Sequence, residues 1–423
     1  MALLLNRGVS CSAMAMTEFK LQAQAAETSL RTVFEATPLQ HNAYLSALYD
    51  ADIWLKREDL TPVRSYKLRG AYNAMRKQPD HDHFVAASAG NHAQGVAFMC
   101  AHLGVKGTIF MPVTTPQQKI SKTKMFGGTW VEVRLVGDYF DETLSAAQEM
   151  CRQSGAHFLS PFDDADVIEG QATVAVEIEQ AMGGAPHITV FPVGGGGLGS
   201  GLVSYFKNST EYFAIEPSGG ACLAAALAAG EPVALPHVDT FADGAAVGRI
   251  GFKTFECLKN IPLNRALLVN EDRLCTTLLD MLNVEGVVLE PSGALAIDAL
   301  KDIQDEIRGK TVVCITSGGN FDFERLPEVK ERAQKYLGVK KYFVLRMPQR
   351  PGALRDFLQM LGPDDDIARF EYLKKSARNF GTVLIGIETS DSKNFDDLFE
   401  KINAAGFAYE DITNDPILGQ FLI

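Results

Sequence analysis

The chain reads as an α/β protein with parallel sheet and crossover helices, followed by a smaller α+β module. Three observations predict this. Short apolar runs such as His187–Val193 and Thr311–Ile315 each run into a glycine-bearing turn, as strands buried on both faces do. Stretches of helical period separate such runs, the alternation expected of crossover connections. After Gly338 the pattern changes to strand, helix, two strands, helix, strand, which is a ferredoxin-like order.

Taken in order, Trp54–Arg57 reads as a strand leading into Glu58–Pro62, and Phe84–Ala87 as a strand followed by a helix through Phe98. Gly107–Met111 is a strand, Pro116–Phe126 a helix, and Trp130–Val136 a strand. Asp138–Arg152 and Thr173–Met182 have helical period, and Tyr212–Ile215 is strand-like. Two lobes are expected, the smaller one over about 69–160, with a small-molecule site between them. In the C-terminal module, Lys341–Arg346, Ile367–Leu373, Thr382–Ile387 and Phe407–Ile412 read as strands. Ala353–Leu361 and Phe395–Ala405 read as helices, with Pro351 at the start of the first. The expected organisation is a flexible segment 1–20, a main domain 21–337 and a module 338–423.

Composition narrows the function classes. The 423 residues suffice for two or three domains. A net charge of −12 argues against a general nucleic-acid binder and against binding to anionic membranes. No apolar stretch is long enough to span a bilayer. Seven dispersed cysteines without a C-x-x-C pair suggest neither a zinc site nor a disulfide framework, and point to a reducing, cytoplasmic compartment. His81 and His83, interleaved with Asp80 and Asp82, read as a solvated loop, so no metal is expected. Residues 1 to about 16 lack acids; a transit peptide and a mis-assigned start are equal readings.

Four segments carry chemistry. In Ser65-Tyr66-Lys67-Leu68-Arg69-Gly70, a buried lysine loses proton affinity by desolvation, and its amine becomes nucleophilic near neutral pH. An imine with an aldehyde cofactor requires that. The plain alternative is a solvated lysine at a helix start. In Ser88-Ala89-Gly90-Asn91-His92-Ala93-Gln94-Gly95, small residues and free N–H groups at a helix start suit a carboxylate. An ordinary capped turn is the alternative. Gly194-Gly195-Gly196-Gly197-Leu198-Gly199-Ser200-Gly201 follows a strand and precedes a helix, the arrangement of a phosphate cradle. Thr316-Ser317-Gly318-Gly319-Asn320 puts a hydroxyl at the carboxyl end of a strand, where open α/β sheets bind ligands. A competing reading takes Gly194, Gly196 and Gly199 as a nicotinamide fingerprint with Glu216 as the ribose acid. It leaves Lys67 and the Asn91 and Ser317 turns unexplained.

In this order the four segments resemble the threonine dehydratases (threonine ammonia-lyases) of the pyridoxal-phosphate fold-type II enzymes, over roughly Thr32 to the C-terminus. The resemblance implies a two-lobed, tryptophan synthase β-like catalytic domain. It also implies one C-terminal ACT-like domain, as in the biosynthetic, isoleucine-sensitive members. It assigns Lys67 to the cofactor imine and to removal of the Cα proton. It assigns Asn91 to the pyridoxal 3-oxygen, Gly194, Gly195, Gly196, Gly197 and Leu198 to the phosphate, and Ser317 to the pyridine nitrogen. Ser88, Ala89, Gly90, Asn91 and His92 would receive the substrate carboxylate. The implied reaction takes L-threonine to 2-oxobutanoate and ammonia, the first committed step toward isoleucine, in a homo-oligomer (dimer or tetramer). L-isoleucine would act as effector near Arg350, Gly352, Ala353 and Leu354; a domain used only for subunit contact is the alternative.

Tyr66 stands where the family usually has Phe, and Cys222 where cation-binding relatives have an Asp six residues after the Glu. Glu290-Pro291-Ser292-Gly293-Ala294 matches a family segment beside the cofactor; a helix N-cap at Ser292 is an equal reading. A serine dehydratase or serine racemase of the same fold is the nearer rival, and a non-catalytic amino-acid sensor the more distant one.

Overall fold

The apolar run before the glycine-rich turn becomes the strand Ile188–Pro192, buried along its whole length. In the computed structural model, which describes residues 11–373 and 379–415, the chain divides into two units, Met1–Phe321 and Asp322–Ile423.

The first unit holds two sheets. Its strands in chain order are β1 (Leu39–His41), β2 (Asp52–Arg57), β3 (His83–Ala87), β4 (Lys106–Met111), β5 (Val131–Leu135), β6 (His157–Phe158), β7 (Ile188–Pro192), β8 (Glu211–Pro217), β9 (Ala266–Val269) and β10 (Thr311–Thr316). The larger sheet runs β1-β2-β10-β7-β8-β9, parallel except for β1 against β2. The smaller runs β5-β4-β3-β6, all parallel, within the stretch expected for the smaller lobe. Helices cover both sheets, so the inner strands β3, β4, β7 and β10 are buried on both faces, while the edge strand β5 is largely exposed. Phe191, Phe213, Leu202 and Val313 anchor the core of the large sheet, and Phe84, Val96, Met99 and Ile109 that of the small one. Parallel strands of this kind deliver their carboxyl ends to one edge, where the motif-bearing turns begin.

The second unit is an antiparallel sheet of β11 (Lys340–Pro348), β12 (Asp366–Leu373), β13 (Phe380–Glu388) and β14 (Ala408–Asp411), in the order β12-β13-β11-β14. The helices Ala353–Leu358 and Asn394–Ala404 complete the ferredoxin-like order. Phe343, Leu345, Phe357, Ile385, Phe395 and Leu398 form its core.

A helix covers Cys11–Leu30, with Ala23, Ala26 and Leu30 buried; residues 1–10 of the segment expected to be flexible lie outside the described residues. Two expectations are corrected. The break expected at 337/338 falls instead at Phe321/Asp322. Helix Leu326–Tyr336 belongs with the second unit, because buried Lys340 is paired with its Glu331 and with Glu388 of β13. Pro351 does not start a helix: Gly352, at φ +85°, caps Ala353–Leu358 in the left-handed region that glycine tolerates.

Candidate active site

Lys67 begins the helix Lys67–Arg76, most of whose residues are buried. The loop before it is tightly held. Thr61 Oγ1 donates to the Ser65 carbonyl (2.9 Å) and accepts from Ser65 N–H (2.8 Å). Arg64 takes φ 57°, an uncommon conformation for a residue with a Cβ, and its carbonyl accepts from Gly319 N–H at 2.9 Å. Tyr66 N–H donates to the Ser317 carbonyl at 3.2 Å, so the lysine loop and the Ser317 turn are stitched together. Lys67 Nζ donates to the carbonyl of Pro161 (2.9 Å) and lies near the rings of Tyr66 and Phe162. Burial pulls this amine down to about 8, against the opposing charge of Glu290.

Ser88, Ala89 and Gly90 leave the carboxyl end of β3, and the helix Asn91–Leu103 starts at once. Ser88 Oγ accepts from Gly90 N–H at 3.2 Å, and open space lies beside Gly90. His92 is buried with Nε2 3.1 Å from the Leu159 carbonyl, so that nitrogen carries the hydrogen. Burial and the Lys67 charge push it down to about 3, leaving it neutral. Asn91 Nδ2 donates to Glu290 Oε1 (2.6 Å) and its Oδ1 accepts from Asn320 Nδ2 (2.8 Å).

Gly194–Gly197 form the turn from β7 into the helix Gly197–Phe206. Gly196 sits at φ +89°, and a Cβ on Gly195 would fall 2.2 Å from the Phe162 ring. Only glycine permits this turn. The first-turn N–H groups, Leu198 included, have no partner within the helix, the arrangement that suits an anion. Ser317 follows β10 and is buried, with its Oγ donating to the Ser292 carbonyl at 3.2 Å. Ser292 does not cap the helix Pro291–Asp298; its hydroxyl donates to Glu290 Oε1 at 2.9 Å instead. Burial, with Asp243 nearby, raises the Glu290 carboxyl to about 7.

The first unit thus brings the four expected segments to one cleft. Its residues suit a phosphorylated aromatic aldehyde: an amine held by a lone carbonyl, a glycine cradle with no room for side chains, and a buried Ser65 hydroxyl without a partner. They do not suit a nicotinamide. Glu216 is fully buried, and its two carboxylate oxygens accept from Leu223 and Ala224 N–H (2.7 and 2.8 Å), so it cannot reach a ribose. Cys222 donates to the Gly194 carbonyl at 3.2 Å. Sequence reading missed Phe162 and the Lys119–Asp243 ion pair, and gave Asn320 no role. Phe162 follows a strand of only two residues, which leaves no periodic signal.

The model of the pyridoxal-phosphate dependent enzymes matches residues 30–318. That of the C-terminal regulatory domain of threonine dehydratase matches 331–422. The chain belongs to the threonine dehydratases among the pyridoxal-phosphate dependent enzymes. It is 46% identical to L-threonine dehydratase biosynthetic IlvA of Bacillus subtilis, across 94% of this chain and 96% of that protein. It resembles processed threonine deaminase isoform 2 of Solanum lycopersicum with TM-score 0.71 and 35% identity, over 78% of this chain and 97% of that one. For the T.th. threonine deaminase the TM-score is 0.64 and the identity 30%, over 72% of this chain and 98% of that one.

In the regulatory unit of this family member, Arg350 Nη2 donates to Asp356 at 2.7 Å, Ala353 is buried in the core, and Leu354 is 41% exposed. Of the four residues expected to touch an effector, Arg350 and Leu354 therefore offer side chains to solvent, while Ala353 does not.

Proposed function

We propose that this chain converts L-threonine to 2-oxobutanoate and ammonia, with Lys67 as the residue that carries pyridoxal phosphate and moves the Cα proton. The observation that carries the reading is a lysine amine lowered to about 8 in a cleft walled by a glycine cradle and the Ser88–His92 turn. Bound there, the cofactor supplies an electron sink that makes the Cα–H of an amino acid acidic. Gly194–Leu198 hold its phosphate, Asn91 donates its remaining amide hydrogen toward the ring oxygen, and Ser317 faces the ring nitrogen. Ser317 is neutral and already donates to Ser292, so it does not hold that nitrogen protonated as a carboxylate would; prompt elimination is favoured over racemisation. Ser88 to His92 receive the substrate carboxylate, and neutral His92 adds no charge to it. The Lys67 amine takes the Cα proton; the β-hydroxyl departs as water, the proton it gains balancing the one lost from Cα, and the released enamine takes water back to give the oxo acid and ammonia.

The regulatory unit supports a small-molecule effector, which we read as L-isoleucine. A homo-oligomer follows from the resemblance, and the cytoplasm from six free cysteines among the described residues. No described helix is long and apolar enough to cross a membrane.

A single assay tests the reading. Purified protein loaded with pyridoxal phosphate is given threonine or serine, and 2-oxo acid is measured with and without isoleucine. Preferred turnover of threonine, inhibition by isoleucine, and borohydride fixation of the cofactor on Lys67 are expected. Wild-type 2-oxobutanoate formation by Lys67→Ala overturns the assignment of the lysine. Activity insensitive to isoleucine overturns only the effector. Light scattering decides the oligomeric state.

A further inference from the structure

Two residues beyond Lys67 on the same helix, Arg69 is fully buried and uses its guanidinium as a fork in two directions. Toward Glu58, Nε donates to Oε2 (2.7 Å) and Nη2 to Oε1 (2.8 Å). Toward Glu177, Nη1 donates to Oε1 (2.6 Å) and Nη2 to Oε2 (2.8 Å). Nη1 also reaches Thr173 Oγ1 (3.0 Å), and Nη2 reaches Thr37 Oγ1 (3.1 Å). The side chains of Glu58 and Glu177 are 0% and 2% exposed. Lys56, equally buried, donates to Glu177 and to the Thr37 carbonyl, and Arg31 donates to Glu177 from the edge of the cluster.

A buried network of this kind is weak as a source of net stability, because the desolvation of the charges offsets most of their attraction. Its geometry is more telling. Glu58 precedes, and Arg69 follows, the loop Thr61–Tyr66 that carries Lys67, so their paired bonds close that loop at its base. Thr173 and Glu177 sit on the helix Ala165–Met182, which begins four residues after Pro161, the carbonyl partner of the Lys67 amine. The same two helices meet at glycines: a Cβ on Gly170 would lie 2.6 Å from the Arg69 carbonyl. A planar bidentate fork fixes direction as well as distance, which an ammonium does not.

We propose that Arg69, gripped by Glu58 and Glu177, is a positioning residue that sets the reach and direction of the Lys67 amine toward the cleft. Arg69 touches neither cofactor nor substrate; it acts through the lysine loop. The proposal rests on the reading of Lys67 as the cofactor-bearing amine, and its test separates the two.

In cofactor-free protein, Lys67 is labelled with limiting acetic anhydride across a pH series, and the modified peptide is quantified by mass spectrometry. Wild-type labelling is expected to rise with a midpoint near the depressed value of about 8. Arg69→Lys, which keeps the charge but loses the fork, is expected to move that midpoint up by about one pH unit. In the loaded enzyme it is expected to lower kcat about 10- to 100-fold, with KM for threonine within about threefold, as a misplaced catalytic group does. Thr173→Val removes one bond to the guanidinium and no charge, so it decides the matter if Arg69→Lys does not fold; the same directions are expected at about three- to tenfold in kcat. Folded variants with lower melting temperatures but wild-type labelling midpoint and kcat would make the cluster a stabiliser only, and overturn the proposal. Borohydride fixation at some other lysine would instead overturn the reading of Lys67, while the labelling profile still judges the fork.

Discussion

Lys56, fully buried, and Lys67, half-buried, both lie in the first unit and are put to opposite uses. Lys56 lies next to the end of β2 inside the charge cluster, with Glu177 and the Thr37 carbonyl against its ammonium. Lys67 ends a loop with its amine on the Pro161 carbonyl, and among the described residues it has no carboxylate partner. Burial lowers the proton affinity of both. At Lys56, neighbouring Glu177 and Glu58 oppose that fall, and the ion is part of the framework. At Lys67 only the more distant Glu290 opposes it, and the free amine is accessible near neutral pH. At Lys56 burial is answered by paired carboxylates, while among the described residues Lys67 has no carboxylate within salt-bridge reach.

The largest expected effect breaks the pair apart. Lys67→Ala is expected to lower kcat by about 10²–10⁴-fold, the usual contribution of a positioned base, in the 2-oxobutanoate assay. Its folding free energy should be unchanged or improved, since an unfavourably buried amine is removed. Lys56→Met is expected to do the reverse, costing about 3 kcal/mol in guanidinium unfolding by stripping a cation from Glu177, with much the smaller loss of kcat. Equal losses of turnover in two fully folded variants would end the contrast.

Acid exposes the same difference. Burial works against the Glu177 carboxylate, but Arg69 and Lys56 overcome it and hold the group down to about 2. A folded value below the unfolded value of about 4.3 contributes stability that is fully present above that pH and is lost as pH falls toward 2. Unfolding free energies from urea titrations between pH 6 and pH 2.5 should fall through that window by an amount on the order of 2–3 kcal/mol. Glu177→Gln should be less stable at pH 6 and lack that part of the slope; an unchanged slope would detach Glu177 from the cluster.

Lys67 titrates at the other end. Its folded value lies below that of an unfolded lysine, so between about pH 8 and 10.4 the unfolded chain binds the extra proton, and this group's penalty fades as pH rises. The rate at which cofactor-free protein captures pyridoxal phosphate, read by visible absorbance, should therefore climb through pH 8 and level off. A climb centred near 10 would return Lys67 to the ordinary lysines. The smallest effect is Thr37→Val, expected to cost about 1 kcal/mol in urea unfolding by removing one hydroxyl from the cluster.

Much of this was legible in the chain itself. Apolar runs ending in glycines located β7 and β10, because a strand buried on both faces must be apolar throughout, and a tight turn beside a ligand excludes a Cβ. The alternation of periods gave the C-terminal module its order. Lys67, the Asn91 turn, the glycine cradle and Ser317 were legible as motifs because each is a continuous string of sequence. The three-residue β1, the two-residue β6 and the helix Leu326–Tyr336 were missed, since they are too short, or too dependent on a partner surface, to leave a pattern.

What the amino-acid order determined alone was therefore the set of strings proposed to react and to hold phosphate, and the strands that present them. Tertiary structure alone decided that Lys67 lacks a counter-ion while Lys56 has one, that Glu290 meets Asn91, that Glu216 faces a helix start rather than a ribose, and that Arg69 reaches Glu58 and Glu177. These contacts join residues from seven to about two hundred positions apart. Desolvation and pairing depend on who is near in space, and no local window of sequence holds that information.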